Sequence, residues 1–294
     1  MIGSAHGHPG AQFATNVLPE ATAPHETASR RPPAHARLYD RGIALQSEAQ
    51  WPADLDVLLR SPEWLAATTV LDLGAGNGAF GRLLAARFPM KSIVALEPDE
   101  DLYAMGAQTP GPPNYMYLHG GFDPGLEGWF DVLLARSVLM YMPQHERVSL
   151  TRWASEHCWA ALIQNNAQAA SVVRPQTQLS SEVFTRTDWS HAADGAAIRR
   201  DRELVDTPEL FGAAGFTFAG STTAIATLSG ARGRALAHHF LRAFAEIIDA
   251  AAVTKDMLDE LFEWSLREDA YMTIGGTWYR FCNTRGSWPS LVAG

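Results

Sequence analysis

Clustered positive charge is the first thing this 294-residue chain lacks. Lys and Arg number 23 against 32 Asp and Glu, a net charge of −9 with His neutral, and no basic run exceeds the pairs Arg30-Arg31 and Arg199-Arg200. A protein that tracks phosphates carries a basic face, so nucleic acid is not expected as a partner. Cysteine is scarce too. Cys158 and Cys282, both in apolar surroundings, are too few for a disulfide framework and have no nearby ligands at zinc spacing. They read as buried, reduced thiols, which suits a cytoplasm, and no metal is expected. No apolar run reaches the roughly 18 residues a membrane span needs. Residues 1–35 hold no apolar stretch flanked by basic residues, so neither a secretion signal nor a membrane partner is expected.

What is present reads as a globular chain, 47% apolar and 19% charged, long enough for a full core. Residues 1–36 are rich in Ala, Pro, Gly, His and Thr without periodicity, and read as a disordered extension. Its histidines (His6, His8, His25, His35) are too irregularly spaced for a ligand set. Residues 37–66 carry Leu45, Trp51, Leu55, Leu58 and Leu59 at helical intervals and read as a helical lid segment.

From residue 67 to 294 the pattern predicts one α/β domain. Apolar strands are expected at Thr69–Leu73, Ser92–Leu96, Tyr115–Leu118, Phe130–Ala135 and Trp159–Gln164, with helices at Phe80–Phe88, Asp101–Ala107 and Glu146–His157 between them. Such alternation argues for a doubly wound, mostly parallel sheet. A helix at Thr207–Ala214 and strands at Thr217–Leu228 and Thr277–Asn283 complete seven strands. Helical insertions near 165–205 and 232–268 are extra, and read as a roof over the site or a homodimer face.

The strongest chemical signal is Val70-Leu71-Asp72-Leu73-Gly74-Ala75-Gly76-Asn77-Gly78. Glycines let a chain turn sharply at a strand's carboxyl end and let a ligand come close, where doubly wound sheets bind ligands. Gly74-x-Gly76-x-x-Ala79 also satisfies the dinucleotide fingerprint, so two cofactor classes compete. Asp72 separates them. A pyrophosphate beside that carboxylate is repelled, by about 1 kcal/mol or more. The ammonium and sulfonium of S-adenosylmethionine are attracted. Glu97, ending the next strand, suits the ribose hydroxyls of either ligand and does not choose.

On these residues, together with Ala95-Leu96-Glu97-Pro98-Asp99 and Phe130-Asp131-Val132-Leu133-Leu134, the chain resembles class I S-adenosylmethionine-dependent methyltransferases over roughly residues 67–165. The resemblance implies that Asp72, Gly74, Gly76 and Gly78 hold the methionine part and that Glu97 holds the ribose. It lays Pro98 against the adenine, with Gly121, Phe122 and Asp123 framing it, and puts Arg136 and Ser137 beside the sulfonium. Tyr39 resembles tyrosines that cap the cofactor carboxylate. Two departures stand out. Gly121 occupies the place where an acid often recognises adenine, and Glu156-His157-Cys158-Trp159 replaces a Gly-Gly turn.

Methyl transfer is an in-line displacement and needs no obligatory triad, so acceptor-side residues are harder to read. Tyr141 and His145, just past the fourth strand, are the candidates to orient the acceptor and remove a proton. Trp189, His191 and Trp278 join Tyr141 as acceptor-binding candidates. The expected reaction is methylation of a small, neutral or cationic, aromatic acceptor in bacterial specialised metabolism, an indole-like carbon being one form, with S-adenosylhomocysteine as product. Nitrogen or oxygen methylation, a tRNA or protein substrate, a dinucleotide oxidoreductase and a non-catalytic binding module are the alternatives.

Overall fold

The computed structural model describes residues 34–166, 172–175, 206–247 and 255–284. Helix α1 (Ala34–Leu59) and the short α2 (Pro62–Ala66) precede strand β1 (Thr69–Leu73). Then follow α3 (Ala79–Arg87), β2 (Ser92–Glu97), α4 (Glu100–Gly106), β3 (Tyr115–His119), β4 (Phe130–Arg136), α5 (Gln144–His157) and β5 (Cys158–Asn166). The chain continues through β6 (Val172–Arg174), α6 (Thr207–Ala213), β7 (Phe216–Ser229), α7 (Gly230–Ile247), α8 (Lys255–Ser265) and β8 (Tyr271–Asn283).

These strands form one sheet. The order β3-β2-β1-β4-β5 is parallel throughout, and β8 then pairs antiparallel with β5. Residues Tyr271–Thr273 of β8 pair with both β6 and β7, so those two strands lie on opposite sides of β8. This is a doubly wound, Rossmann-like α/β sheet, as the alternation predicts. The seven expected strands are joined by an eighth, the three-residue β6, in a stretch with no readable period. The closing strand begins at Tyr271, six residues before its expected start at Thr277. The stretch 38–59 belongs to one helix despite Pro52 inside it.

Both faces of the sheet are covered, which is why its strands are near-continuous apolar runs. Successive residues point to opposite faces. Leu71, Leu73, Leu133, Ala135, Ala161 and Ile163 meet Leu150 and Trp153 of α5 and Phe211 of α6. Val70, Val132, Leu134, Ala160 and Leu162 meet Trp64 of α2, Phe80 and Leu84 of α3, and Val57 and Leu58 of α1. A third cluster joins α7 and α8 to β7, β8 and Leu45 of α1.

The starts of α4 and α6 are capped by aspartates. Asp99 Oδ1 accepts from the Leu102 N–H at 2.8 Å, and Asp206 Oδ1 from the Glu209 N–H at 3.0 Å. Among the described residues no helix is long and apolar enough to cross a membrane.

The expected extension 1–36 falls outside the described residues except for 34–36, which begin α1. Trp189 and His191 also lie outside them, as does most of the 165–205 insertion.

Candidate functional site

At the carboxyl end of β1 the backbone takes three left-handed steps, Gly74 (φ 65°), Gly76 (φ 60°) and Gly78 (φ 71°). A side chain is strained there in any surroundings. At Gly74 a Cβ would also come within 2.5 Å of Val138 Cγ2, because the segment after β4 packs over the turn.

Three of the turn's carbonyls are each held by a side chain. Tyr117 Oη donates to the Gly76 carbonyl, Arg82 donates to Asn77 O at 2.8 Å, and Tyr115 Oη donates to Gly78 O at 3.4 Å. Sequence reasoning missed all three. Two lie on β3, two strands across the sheet from β1 and more than 35 residues away, and nothing local marks them.

Asp72 faces α3 and α1. It is 3% exposed, with Oδ2 about 3.0 Å from where a Gly81 Cβ would stand. The bare Gly81 makes room for the carboxyl under the first turn of α3. Among the described residues Asp72 has no hydrogen-bond partner. Burial pushes its pKa up to about 7, opposed by Arg136 and reinforced by Glu97. The carboxyl is therefore not open to solvent at the strand's mouth, as the sequence suggests, but roofed.

Glu97 is also buried. Its Oε2 accepts from the Gly76 N–H at 2.7 Å and its Oε1 from the Asp99 N–H at 2.9 Å. Burial raises it to about 6 against those two bonds. A carboxylate has about four acceptor positions, so capacity is left for hydroxyl donors.

Helix α1 sits on the turn. Asn77 Nδ2 donates to Asp40 O at 2.9 Å and to Asp40 Oδ1 at 2.8 Å, and Ile43 lies 3.3 Å from where a Gly76 Cβ would be. Tyr39 adjoins Asp40 in α1, but its side chain lies outside the described residues.

The adenine side is looser than the resemblance implies. Pro98 is exposed, with Gly121 close by (a Gly121 Cβ would be 3.3 Å from Pro98 Cβ). Phe122 instead turns inward, edge-on to Trp153 at 5.9 Å. Asp123 is exposed and caps its own turn, accepting from the Gly125 N–H at 2.8 Å.

Beyond β4 the chain makes another left-handed step at Ser137 (φ 57°), whose N–H donates to Gln164 O at 2.7 Å. Such strain in a non-glycine residue is uncommon and gathers at functional sites. Tyr141 is 42% exposed and His145 is exposed in the first turn of α5. Neither is brought to Asp72 in a buried pocket.

Instead, a buried polar network lies beside Asp72. Arg136 pairs with Gln164 across β4 and β5, and Gln164 with Trp278 across β5 and β8. Paired residues share a face, and this is the face of Asp72, two residues after Val70. Arg136 Nε donates to Gln164 Oε1 at 3.1 Å, Nη1 to Ser47 Oγ at 3.3 Å and Nη2 to Gln50 Oε1 at 3.3 Å. Its guanidinium lies 4.3 Å above the centre of the Phe80 ring. Asp54 is fully buried. Its Oδ1 accepts from Gln164 Nε2 and Trp278 Nε1, each at 2.8 Å, while Oδ2 stands 4.0 Å from Arg136 Nε. Burial raises the Asp54 pKa, with Arg136 acting against it.

No family model matches the chain. Trans-aconitate 2-methyltransferase of Deinococcus radiodurans is 34% identical over 85 residues, which are 29% of this chain and 32% of that protein. The chain therefore matches about a third of the relative's length. Among solved structures, the YcgJ protein of Bacillus subtilis has a TM-score of 0.45 at 13% identity, covering 75% of this chain and 94% of that one. Phosphoethanolamine N-methyltransferase 2 of Haemonchus contortus, solved with S-adenosyl-L-methionine, has a TM-score of 0.39 at 13% identity, covering 74% and 48%. At these scores the likenesses carry no argument, and the fold rests on the strand order itself.

Proposed function

We propose that this chain transfers the methyl group of S-adenosylmethionine to a small organic molecule. Asp72 carries the reading. A buried carboxylate without a hydrogen-bond partner is costly. A cationic ligand at the glycine turn relieves that cost, whereas a pyrophosphate adds to it. The cradle fits: three left-handed glycines keep side chains off the turn, and Glu97 has acceptor capacity left for ribose hydroxyls. The local match to a methyltransferase supports the same reading.

The cofactor supplies an activated methyl group. The chain's residues bind it, orient it and keep water out, and alignment alone can contribute about 7–11 kcal/mol. Asp72, Gly74, Gly76 and Gly78 would hold the methionine part, Glu97 the ribose, and Pro98 and Gly121 the adenine edge. Because α1 is seated on the turn, entry of so large a ligand requires α1 to shift, and its return would exclude water.

For the acceptor we infer a neutral or cationic small molecule. Asp40, Asp54, Asp72 and Glu97 outnumber the guanidinium groups of Arg82 and Arg136, so an anionic acceptor meets a net negative site. Aromatic or indole-like acceptors fit this reading, with Tyr141 and His145 at the exposed rim past β4.

Calorimetric titration with S-adenosylmethionine and with NADH tests the proposal. Binding of the first alone is expected; binding of NADH alone would overturn it. A mass-spectrometric screen for products 14 Da heavier (roughly one CH₂), run over phenols, indoles, amines and carboxylic acids, then identifies the acceptor. Methylation of carboxylic acids only would refute the charge argument.

A further inference from the structure

The methyl donor and its product differ by one charge at sulfur. S-Adenosylmethionine carries a sulfonium and S-adenosylhomocysteine a neutral thioether. An enzyme that welcomes the first and releases the second needs a site whose field favours a cation. Arg136 works against this. It is a permanent cation, 11% exposed in its side chain, on the same face as Asp72 and close enough to depress that group's pKa. Left alone, its charge would repel a sulfonium nearby.

The structure does not leave it alone. Asp54 is buried opposite it, with Oδ2 4.0 Å from Arg136 Nε and no hydrogen-bond partner among the described residues. Its other oxygen is fixed by Gln164 and Trp278. The carboxylate is thus held in place by β5 and β8, and its free oxygen serves the guanidinium through charge rather than through a hydrogen bond. Neutral groups complete the cage: Gln164, Ser47 and Gln50 accept the N–H groups, and Phe80 covers one face. Two carboxyls act on the guanidinium, Asp54 more strongly than Asp72, and Asp54 is the one locked in place by hydrogen bonds, so most of the charge compensation falls on it.

We propose that Asp54 is a positioning residue that sets the preference for the sulfonium cofactor over its neutral product, by cancelling the charge of Arg136 beside Asp72. This rests on the functional reading above, because it needs the cofactor to sit at the glycine turn. Asp54 touches no reacting atom; it acts through Arg136.

The test is calorimetric titration of the full chain, wild type and variants, with S-adenosylmethionine and with S-adenosylhomocysteine, reading the ratio of the two dissociation constants. Asp54→Asn can still accept from Trp278 or Gln164 but loses the charge. It should shift the ratio towards the neutral product by roughly tenfold, the scale of one uncompensated charge in a partly desolvated site. Arg136→Gln should shift it the opposite way at a pH where Asp54 stays ionised, and the double variant Asp54→Asn/Arg136→Gln, which removes both charges, should return towards the wild-type ratio. Arg136→Lys, which keeps the cation, should hold the wild-type ratio.

A purely structural role weakens both ligands together. An unmoved ratio in Asp54→Asn and Arg136→Gln, with both ligands still binding, would therefore overturn the assignment. Should Asp54→Asn fail to fold, Arg136→Gln titrated from pH 6 to 9 decides alone: a sulfonium preference that rises above the wild type's as pH increases supports the proposal, and no rise at any pH refutes it. Wild-type protein that binds neither ligand would instead overturn the functional reading.

Discussion

The glycine turn and the Arg136 network lie on the same side of the sheet and are built in opposite ways. The turn is a matter of backbone. Its glycines take left-handed angles, its carbonyls are tied back, and the acid on its own strand, Asp72, has no hydrogen-bond partner among the described residues. The network is a matter of side chains. Its cation is bonded to Gln164, Ser47 and Gln50 and faced by Asp54. One region is shaped to receive something, and the other is satisfied but for Asp54 Oδ2, which meets Arg136 through charge alone. A buried polar group that lacks a partner points to a ligand, whereas one fully partnered points to architecture.

The contrast breaks most severely at the turn. Gly76→Val puts a β-branched residue at φ 60° with its Cβ about 3.3 Å from Ile43. We expect no measurable binding of S-adenosylmethionine with the circular dichroism spectrum retained. Normal affinity would remove the turn from the site.

Next in size is Glu97→Ala, which takes the acceptor from the Gly76 and Asp99 N–H groups. A charged hydrogen bond is worth about 1.5–3 kcal/mol, so cofactor affinity should fall by tenfold or more in the same titration.

How readable these two regions are from sequence follows from how far apart their partners lie. The turn, Asp72 and Glu97 fall within 30 residues, and strand-turn-strand order is what a sequence displays. The sheet order follows from the same alternation. The network joins Asp54 to Gln164 across 110 residues and to Trp278 across 224. No spacing rule links those positions, so nothing in the sequence marks Asp54, Gln50 or Ser47. Arg136 was legible as a residue beside the sulfonium and Trp278 as an acceptor-binding candidate, but their places in one network were not. Phe122 misled because an aromatic in a loop can frame a ligand or enter the core, and the neighbouring Trp153 drew it inward. The strand β6 was invisible because three residues show no period.

A third variant sharpens the network side. Trp278→Phe leaves Asp54 Oδ1 with Gln164 as its described donor. A buried acceptor that loses a partner costs about 1–3 kcal/mol, so the urea midpoint should drop while cofactor affinity changes little. A large loss of affinity with unchanged stability would mean that Trp278 contacts ligand.

The smallest expected effect is Tyr117→Phe. The Gly76 carbonyl loses its phenol donor, at about 0.5–1.5 kcal/mol. Cofactor binding should weaken by a few fold with the overall fold intact. An effect as large as that of Glu97→Ala would make the tyrosine a direct ligand contact.

The buried acids also leave a mark on stability. Asp72 at about 7 and Glu97 at about 6 lie above their ordinary values. Between about pH 4 and 7 the folded protein therefore holds more protons than the unfolded chain, and these groups lose stabilising effect as pH rises. A bound cation reverses this, because it favours the ionised carboxylate.

The most direct test is the dissociation constant of S-adenosylmethionine measured from pH 5.5 to 8.5 for the wild type and for Asp72→Asn. Affinity in the wild type should strengthen with pH through about 7 and then level off, by up to roughly tenfold per unit on the rising limb. In the variant that rise should be mostly lost. A wild-type affinity independent of pH, or one that weakens as Asp72 ionises, would contradict the account.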